Sequence, residues 1–270
     1  MLKFNDIPAM GLGTYGRTGD AGLAAISAAL EIGYRHIDTA QTYDTEKNVG
    51  EAFFRSGLPR REVFITTKVA LVKLATKDFL PSLRVSLDAL ALDHIDLTLI
   101  HWPSSDPDIR FEDYVESLAQ AKALGLTRLI GVSNFPTVLI ERAVKLLGPG
   151  ELATNQVEMH PFLQNRKVLE CCRKHGVAVT AYMPLAKGRV VGDPVLKRLG
   201  AAHRASENQV SLAWLMQQGV IVIPASGSRK HLESNFGAST IRLSDADMAA
   251  IAKLDRGERI IDPSDAPKWD

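Results

Sequence analysis

Eight short runs of β-favouring residues recur along this chain, each followed by a segment long enough for a helix, and this alternation constrains the fold more than any other feature. The runs are Met10–Thr14, Arg35–Asp38, Val63–Thr67, Ile95–Ile100, Thr127–Val132, Ala153–Val157, Val177–Tyr182 and Val220–Ile223, and their starts fall 24 to 43 residues apart. Between them, Leu80, Leu83, Leu87 and Leu90 step by three and four residues, as do Phe111, Val115 and Leu118. Such spacing puts apolar side chains on one helical face, ready to pack on a sheet. Repeated strand, helix and strand units of this length form right-handed crossovers and a parallel sheet. Eight units in 270 residues match a closed (β/α)8 TIM barrel of roughly 250 residues. No linker-like stretch divides the sequence, so residues 1–270 are expected to form one barrel domain with an extra C-terminal helix.

In a parallel barrel the active site lies at the C-terminal ends of the strands. Polar residues stand at those ends in succession: Asp38 with Tyr43 just beyond it, Lys68, His101, Ser133 and Asn134, Gln156, Tyr182 and Ser226. The fold therefore predicts that they converge on one mouth.

Four of these residues form a set with a chemical purpose. Reducing a carbonyl requires a proton donor, a group that tunes the donor, and a polar residue that orients the oxygen. A tyrosine hydroxyl has an ordinary pKa of about 10, and a nearby ammonium favours its ionised form. Lys68 is thus expected to lower the pKa of Tyr43, with Asp38 holding Lys68 charged and aimed. His101 is expected to hydrogen-bond the substrate oxygen and stabilise the charge developing there.

The segments YRHIDTAQTY (Tyr34–Tyr43), ITTK ending at Lys68, LTLIHWP around His101 and GVSNF (Gly131–Phe135) resemble the motifs of the aldo-keto reductases. The resemblance covers nearly the whole chain and is nearest to the bacterial 2,5-diketo-D-gluconate reductase B type. It implies a catalytic tetrad of Asp38, Tyr43, Lys68 and His101, with Tyr43 as general acid. It also implies that Ser133, Asn134 and Gln156 hold a nicotinamide carboxamide, with Tyr182 stacked on the ring and Leu185 nearby. The segment IPASGSRKHLESN (Ile223–Asn235) resembles the family's cofactor phosphate loop but departs from it. Ala225 replaces the usual lysine, His231 the usual arginine and Ser234 the usual glutamate. An adenosine 2′-phosphate is then left to Ser226, Ser228, Arg229 or Lys230, with Asn235 beyond them and amides at a helix start adding attraction. NADPH is the expected cofactor, with NADH also possible. Tyr15, where many members carry tryptophan, and Trp102 are expected to line the substrate pocket. Ala70 and the short tail ending at Trp269 suggest trimmed loops, which favours small, polar carbonyl compounds: 2-oxoaldehydes such as methylglyoxal, aromatic aldehydes and diketo-sugar acids.

Other readings fit less well. Gly11, Gly13 and Gly16 spell a dinucleotide fingerprint and Tyr43 with Lys47 a Y-x-x-x-K pair, but Pro8 precedes and polar turn residues Arg17–Asp20 follow where strand and helix should run. The seven histidines form no close-spaced ligand pair, so no catalytic metal is expected. No G-x-S-x-G turn suggests a hydrolase. A redox-sensing, cofactor-binding regulatory protein on the same barrel is the contrasting possibility.

Composition narrows the setting. The net charge of +1 offers no broad field for nucleic acid or an anionic membrane. No secretory leader or apolar run of about 20 residues is apparent, and the two cysteines, Cys171 and Cys172, are adjacent and unsuited to bonding each other. A cytoplasmic, monomeric protein is expected.

Overall fold

The N-terminal segment Lys3–Pro8 folds into a two-stranded antiparallel hairpin, β1 (Lys3–Phe4) and β2 (Ile7–Pro8), before the main sheet begins. This is seen in a computed structural model of the chain, which describes residues 2–270. Eight parallel strands follow: β3 (Leu12–Gly13), β4 (His36–Asp38), β5 (Phe64–Val69), β6 (Ile95–Ile100), β7 (Thr127–Ser133), β8 (Leu152–Glu158), β9 (Ala178–Tyr182) and β10 (Val220–Val222). Each pairs with the next in sequence order. The ends meet where Val222 donates its N–H to the Ala9 carbonyl at 2.9 Å, Gly11 donates to Val222 at 2.8 Å and Gly13 to Pro224 at 3.1 Å. The expected (β/α)8 barrel is therefore closed.

The glycines of the G-L-G segment have a structural explanation at this seam. A Cβ on Gly11 would meet the His36 ring at 2.7 Å, and one on Gly13 would meet the Ile223 carbonyl oxygen at 2.8 Å. Neither neighbour leaves room, so the segment that resembles a dinucleotide fingerprint serves close strand packing instead.

Alternation along the strands sorts side chains between two layers. Ile65 and Val69 of β5 join the large core beneath the helices, whereas Phe64 joins Ile7, Leu97, Leu99 and Ile221 in a smaller interior cluster. The hairpin residue Ile7 thus plugs the end of the barrel opposite the C-terminal ends of the strands. On the same interior side as Phe64 come Thr66 and then Lys68, whose chemistry is displayed at the strand's far end.

Helices α1 (Gly19–Ile32), α2 (Glu46–Ser56), α3 (Thr76–Leu90), α4 (Phe111–Ala123), α5 (Thr137–Leu147) and α6 (Arg166–Lys174) fill the first six crossovers. The leucine spacing predicted for α3 is borne out by burial of Leu83, Leu87 and Leu90, with Phe79 replacing Leu80 as the buried first-turn residue. The longest interval holds two helices rather than one, α7 (Pro194–His203) and α8 (Glu207–Gln217), separated by a capping box in which Ser206 and Gln209 satisfy each other's backbone N–H groups. After β10 come α9 (Arg229–Gly237) and the extra C-terminal helix α10 (Asp245–Ala252). Among the described residues, no helix is long and apolar enough to cross a membrane.

Candidate active site

The C-terminal mouth of the barrel brings Asp38, Tyr43, Lys68 and His101 into one hydrogen-bonded group. Register explains the first pair: Asp38 is level with Thr66 of β5, and Lys68 lies one interior position further on. Lys68 is fully buried, and its Nζ donates to Asp38 Oδ1 and to the Thr39 carbonyl at 2.8 Å. Tyr43 is delivered by the loop after β4. That loop is tied down where Gln41 donates its N–H to the Lys68 carbonyl at 3.2 Å and accepts from the Ala70 N–H at 2.9 Å. Tyr43 Oη then stands 3.4 Å from Lys68 Nζ and 3.3 Å from His101 Nε2.

Electrostatics separate the roles. Burial drives the Tyr43 phenol above its ordinary value of 10; Lys68 pulls it down and Asp38 pushes it up, leaving it raised. Lys68 thus lowers the phenol as expected, but the ammonium limits the upward shift without reversing it, because a phenolate loses more on leaving water than one nearby cation restores. Burial alone would depress the Lys68 ammonium, but Asp38 and Tyr43 outweigh it and keep the group charged. His101 is pushed down to about 3 by burial and by Lys68, so it presents a neutral imidazole.

The unfolded chain protonates His101 below 6.5, whereas the native site resists protonation until about 3. The associated stability is present above 6.5 and lost progressively as pH falls from 6.5 toward 3. Nitrogen NMR of histidine-labelled protein is expected to show His101 neutral from pH 5 to 8; a midpoint near 6.5 would contradict the geometry.

The remaining strand-end residues surround this group. Ser133 Oγ donates to the Gln156 carbonyl at 2.8 Å. Asn134, in the left-handed region that asparagine tolerates, bridges the His101 carbonyl at 3.0 Å and the Tyr182 hydroxyl at 2.9 Å. Its amide is thus already engaged, and holding a carboxamide requires it to exchange partners. Gln156 Nε2 donates to Asp38 Oδ2 at 2.7 Å, which links it to the Asp38–Lys68 pair, a connection the sequence did not announce. Tyr182 and Leu185 are half-buried beside them.

In the candidate phosphate loop, Ser226 is buried and its Oγ accepts the Ser228 N–H at 3.1 Å, just before α9 begins. Asn235 is buried on α9. Arg229 is exposed and committed elsewhere, pairing with Glu31 at 2.7 Å and Glu233 at 3.2 Å. A phosphate must compete with two carboxylates for it.

Tyr15 packs edge-on against Tyr43, with ring centroids 5.2 Å apart, and Trp102 packs edge-on against Trp269 at 6.1 Å. The tail carrying Trp269 is held at the mouth by a residue that sequence reading passed over. Buried Glu158, at the end of β8, accepts the Ile260 N–H at 2.8 Å and the Ile261 N–H at 2.7 Å. Arg259 then lies 3.7 Å from the Trp269 ring centre. A carboxylate at a barrel strand end was the available signal for Glu158.

Residues 9–256 match the model of the aldo/keto reductase family. The chain is 47% identical over 265 residues to methylglyoxal reductase DkgB of Escherichia coli O157:H7, covering 98% of this chain and 99% of that protein. It superposes with a TM-score of 0.95 and 41% identity on a crystal structure assigned as a 2,5-diketo-D-gluconic acid reductase B, covering 98% and 95% of the two chains. A Bombyx mori aldo-keto reductase in complex with NADP superposes with a TM-score of 0.89 at 34% identity, covering 97% and 94%. The eight-stranded barrel, the four residues at its mouth and these likenesses agree: the chain belongs to the aldo/keto reductase family.

Proposed function

We propose that this protein reduces small aldehydes and ketones with NADPH, Tyr43 donating the proton. The observation that carries the reading is the Tyr43 hydroxyl, within hydrogen-bond reach of both Lys68 and His101 at the barrel mouth. A carbonyl oxygen placed between Tyr43 Oη and His101 Nε2 receives a hydrogen bond from the phenol and, in the appropriate tautomer, from the neutral imidazole. Both strengthen as negative charge grows on that oxygen. The phenol then gives up its proton, and charged Lys68 beside it stabilises the phenolate left behind. Asp38 and Thr39 hold Lys68 in place throughout.

The residues present fit a nicotinamide dinucleotide phosphate. Bound there, it would supply hydride to the carbonyl carbon. Tyr182 offers a ring face, Ser133, Asn134 and Gln156 polar groups for a carboxamide, and the Ser226–Ser228 segment a polar loop before a helix N-terminus. Leu185 and Asn235 flank these two ends.

Substrates in this reading are 2-oxoaldehydes such as methylglyoxal, aromatic aldehydes and diketo-sugar acids. Support comes from the relatives named for methylglyoxal and 2,5-diketo-D-gluconic acid reduction, and from the aromatic set Tyr15, Trp102 and Trp269 at the mouth. A monomer acting in the cytosol completes the proposal, as does a charge balance that favours neither nucleic acid nor membrane. Incubating the purified protein with NADPH or NADH and a panel of methylglyoxal, a nitrobenzaldehyde and 2,5-diketo-D-gluconate is expected to consume reduced nicotinamide with at least one carbonyl. Tight cofactor binding without turnover on any of the three would favour a redox sensor instead.

A further inference from the structure

Arg17 follows β3 at the barrel mouth, in a turn closed by its N–H donating to the Thr14 carbonyl at 2.8 Å. Its own carbonyl accepts from Asn48 Nδ2 of α2 at 3.3 Å, so the backbone is held from two sides. The side chain reaches the 226–228 loop: Nη1 lies 3.4 Å from where a Cβ on Gly227 would sit. Its Nε is enclosed by protein and finds no hydrogen-bond partner. An enclosed guanidinium N–H without an acceptor is costly, and a guanidinium's planar array of donors suits a phosphate.

The loop's own cations, Arg229 and Lys230, lie exposed at the start of α9, and Arg229 is paired with Glu31 and Glu233. Ser226 Oγ and the Ser228 N–H are already bonded to each other. A doubly charged phosphate at this loop therefore gains from a further positive group, and the Arg17 guanidinium borders the loop from another part of the chain.

The geometry assigns Arg17 as the residue that recognises the adenosine 2′-phosphate of the cofactor, bringing its enclosed guanidinium from the β3–α1 connection to the 226–228 loop. This rests on the nicotinamide-dependent reading above. The discrimination between NADPH and NADH then resides in a residue almost the whole chain length away from the loop that usually carries it. It also weakens with added salt, since the contact is an ion pair at a partly exposed site.

The test is a set of binding titrations without substrate, by calorimetry or quenching of tryptophan fluorescence, using NADPH, NADH and 2′,5′-ADP as probes. In Arg17→Ala the Kd for NADPH and for 2′,5′-ADP is expected to rise about 10- to 100-fold, the usual effect of removing a charge-assisted hydrogen bond. The Kd for NADH is expected to stay within about twofold, and Arg17→Lys to restore much of the lost affinity, since it returns the charge but not the planar fork. Equal weakening of NADPH and NADH, or an unchanged ratio between them, overturns the assignment while leaving the reductase reading intact. A parent protein that binds neither dinucleotide overturns both. Matching thermal unfolding of parent and variants keeps a folding defect from imitating the expected result.

Discussion

Replacing Tyr43 by phenylalanine is expected to lower kcat by about 10²- to 10⁴-fold, the range associated with loss of a positioned acid or base, while cofactor affinity changes little. The substitution removes one oxygen and leaves the ring, so the edge-on contacts with Tyr15 and His101 persist. Lys68 keeps its bonds to Asp38 and to the Thr39 carbonyl, and no buried charge is stranded. The defect should therefore appear in turnover rather than in stability or binding, and steady-state kinetics beside a cofactor titration separate these. A variant that reduces a good aldehyde at the parental rate would move the acid role to another residue. In the parent, reduction should slow at high pH as the phenol ionises. Because burial outweighs Lys68 at Tyr43, that alkaline limb should lie above the ordinary phenol range.

The tetrad was legible in the sequence because each member ends a strand or begins the loop after one, and barrel topology sends all such ends to one face. Periodicity of the intervening helices was enough to establish that topology. What remained hidden depends on contacts between distant segments. The distance from Tyr43 to Lys68 follows from the stagger of β4 against β5 and from the Gln41 brace, and neither is encoded in spacing. The bond from Gln156 to Asp38 crosses 118 residues. Arg229 looked available for phosphate because its partner Glu31 lies 198 residues away, and Arg17 looked like turn material because the loop it borders is more remote still. The glycines at 11 and 13 spell a dinucleotide fingerprint, rejected on its flanking residues, for a related reason: close packing against His36 and Ile223 demands the same residue as close approach to a pyrophosphate. Two helices in the longest crossover were missed because one helix was assigned to each interval. Glu158 was passed over because its strand was read as ending at Val157, one residue too early.

Lys68→Met is expected to impair both folding and chemistry, and the two losses should respond differently to a second substitution. Lys68 is buried with Asp38, so its removal leaves a carboxylate in the interior with only the Gln156 amide as a side-chain donor. Breaking a buried pair by removing one partner typically costs about 3–5 kcal/mol, readable as a lower midpoint in urea unfolding. Adding Asp38→Asn removes the stranded charge while keeping its shape, so the double variant should recover much of the lost stability at pH 7. It should not recover turnover, because Tyr43 still lacks the ammonium that stabilises its phenolate. A double variant no more stable than Lys68→Met would show that Lys68 contributes mainly by filling the barrel mouth, whereas restored turnover would show that Tyr43 needs no cation beside it.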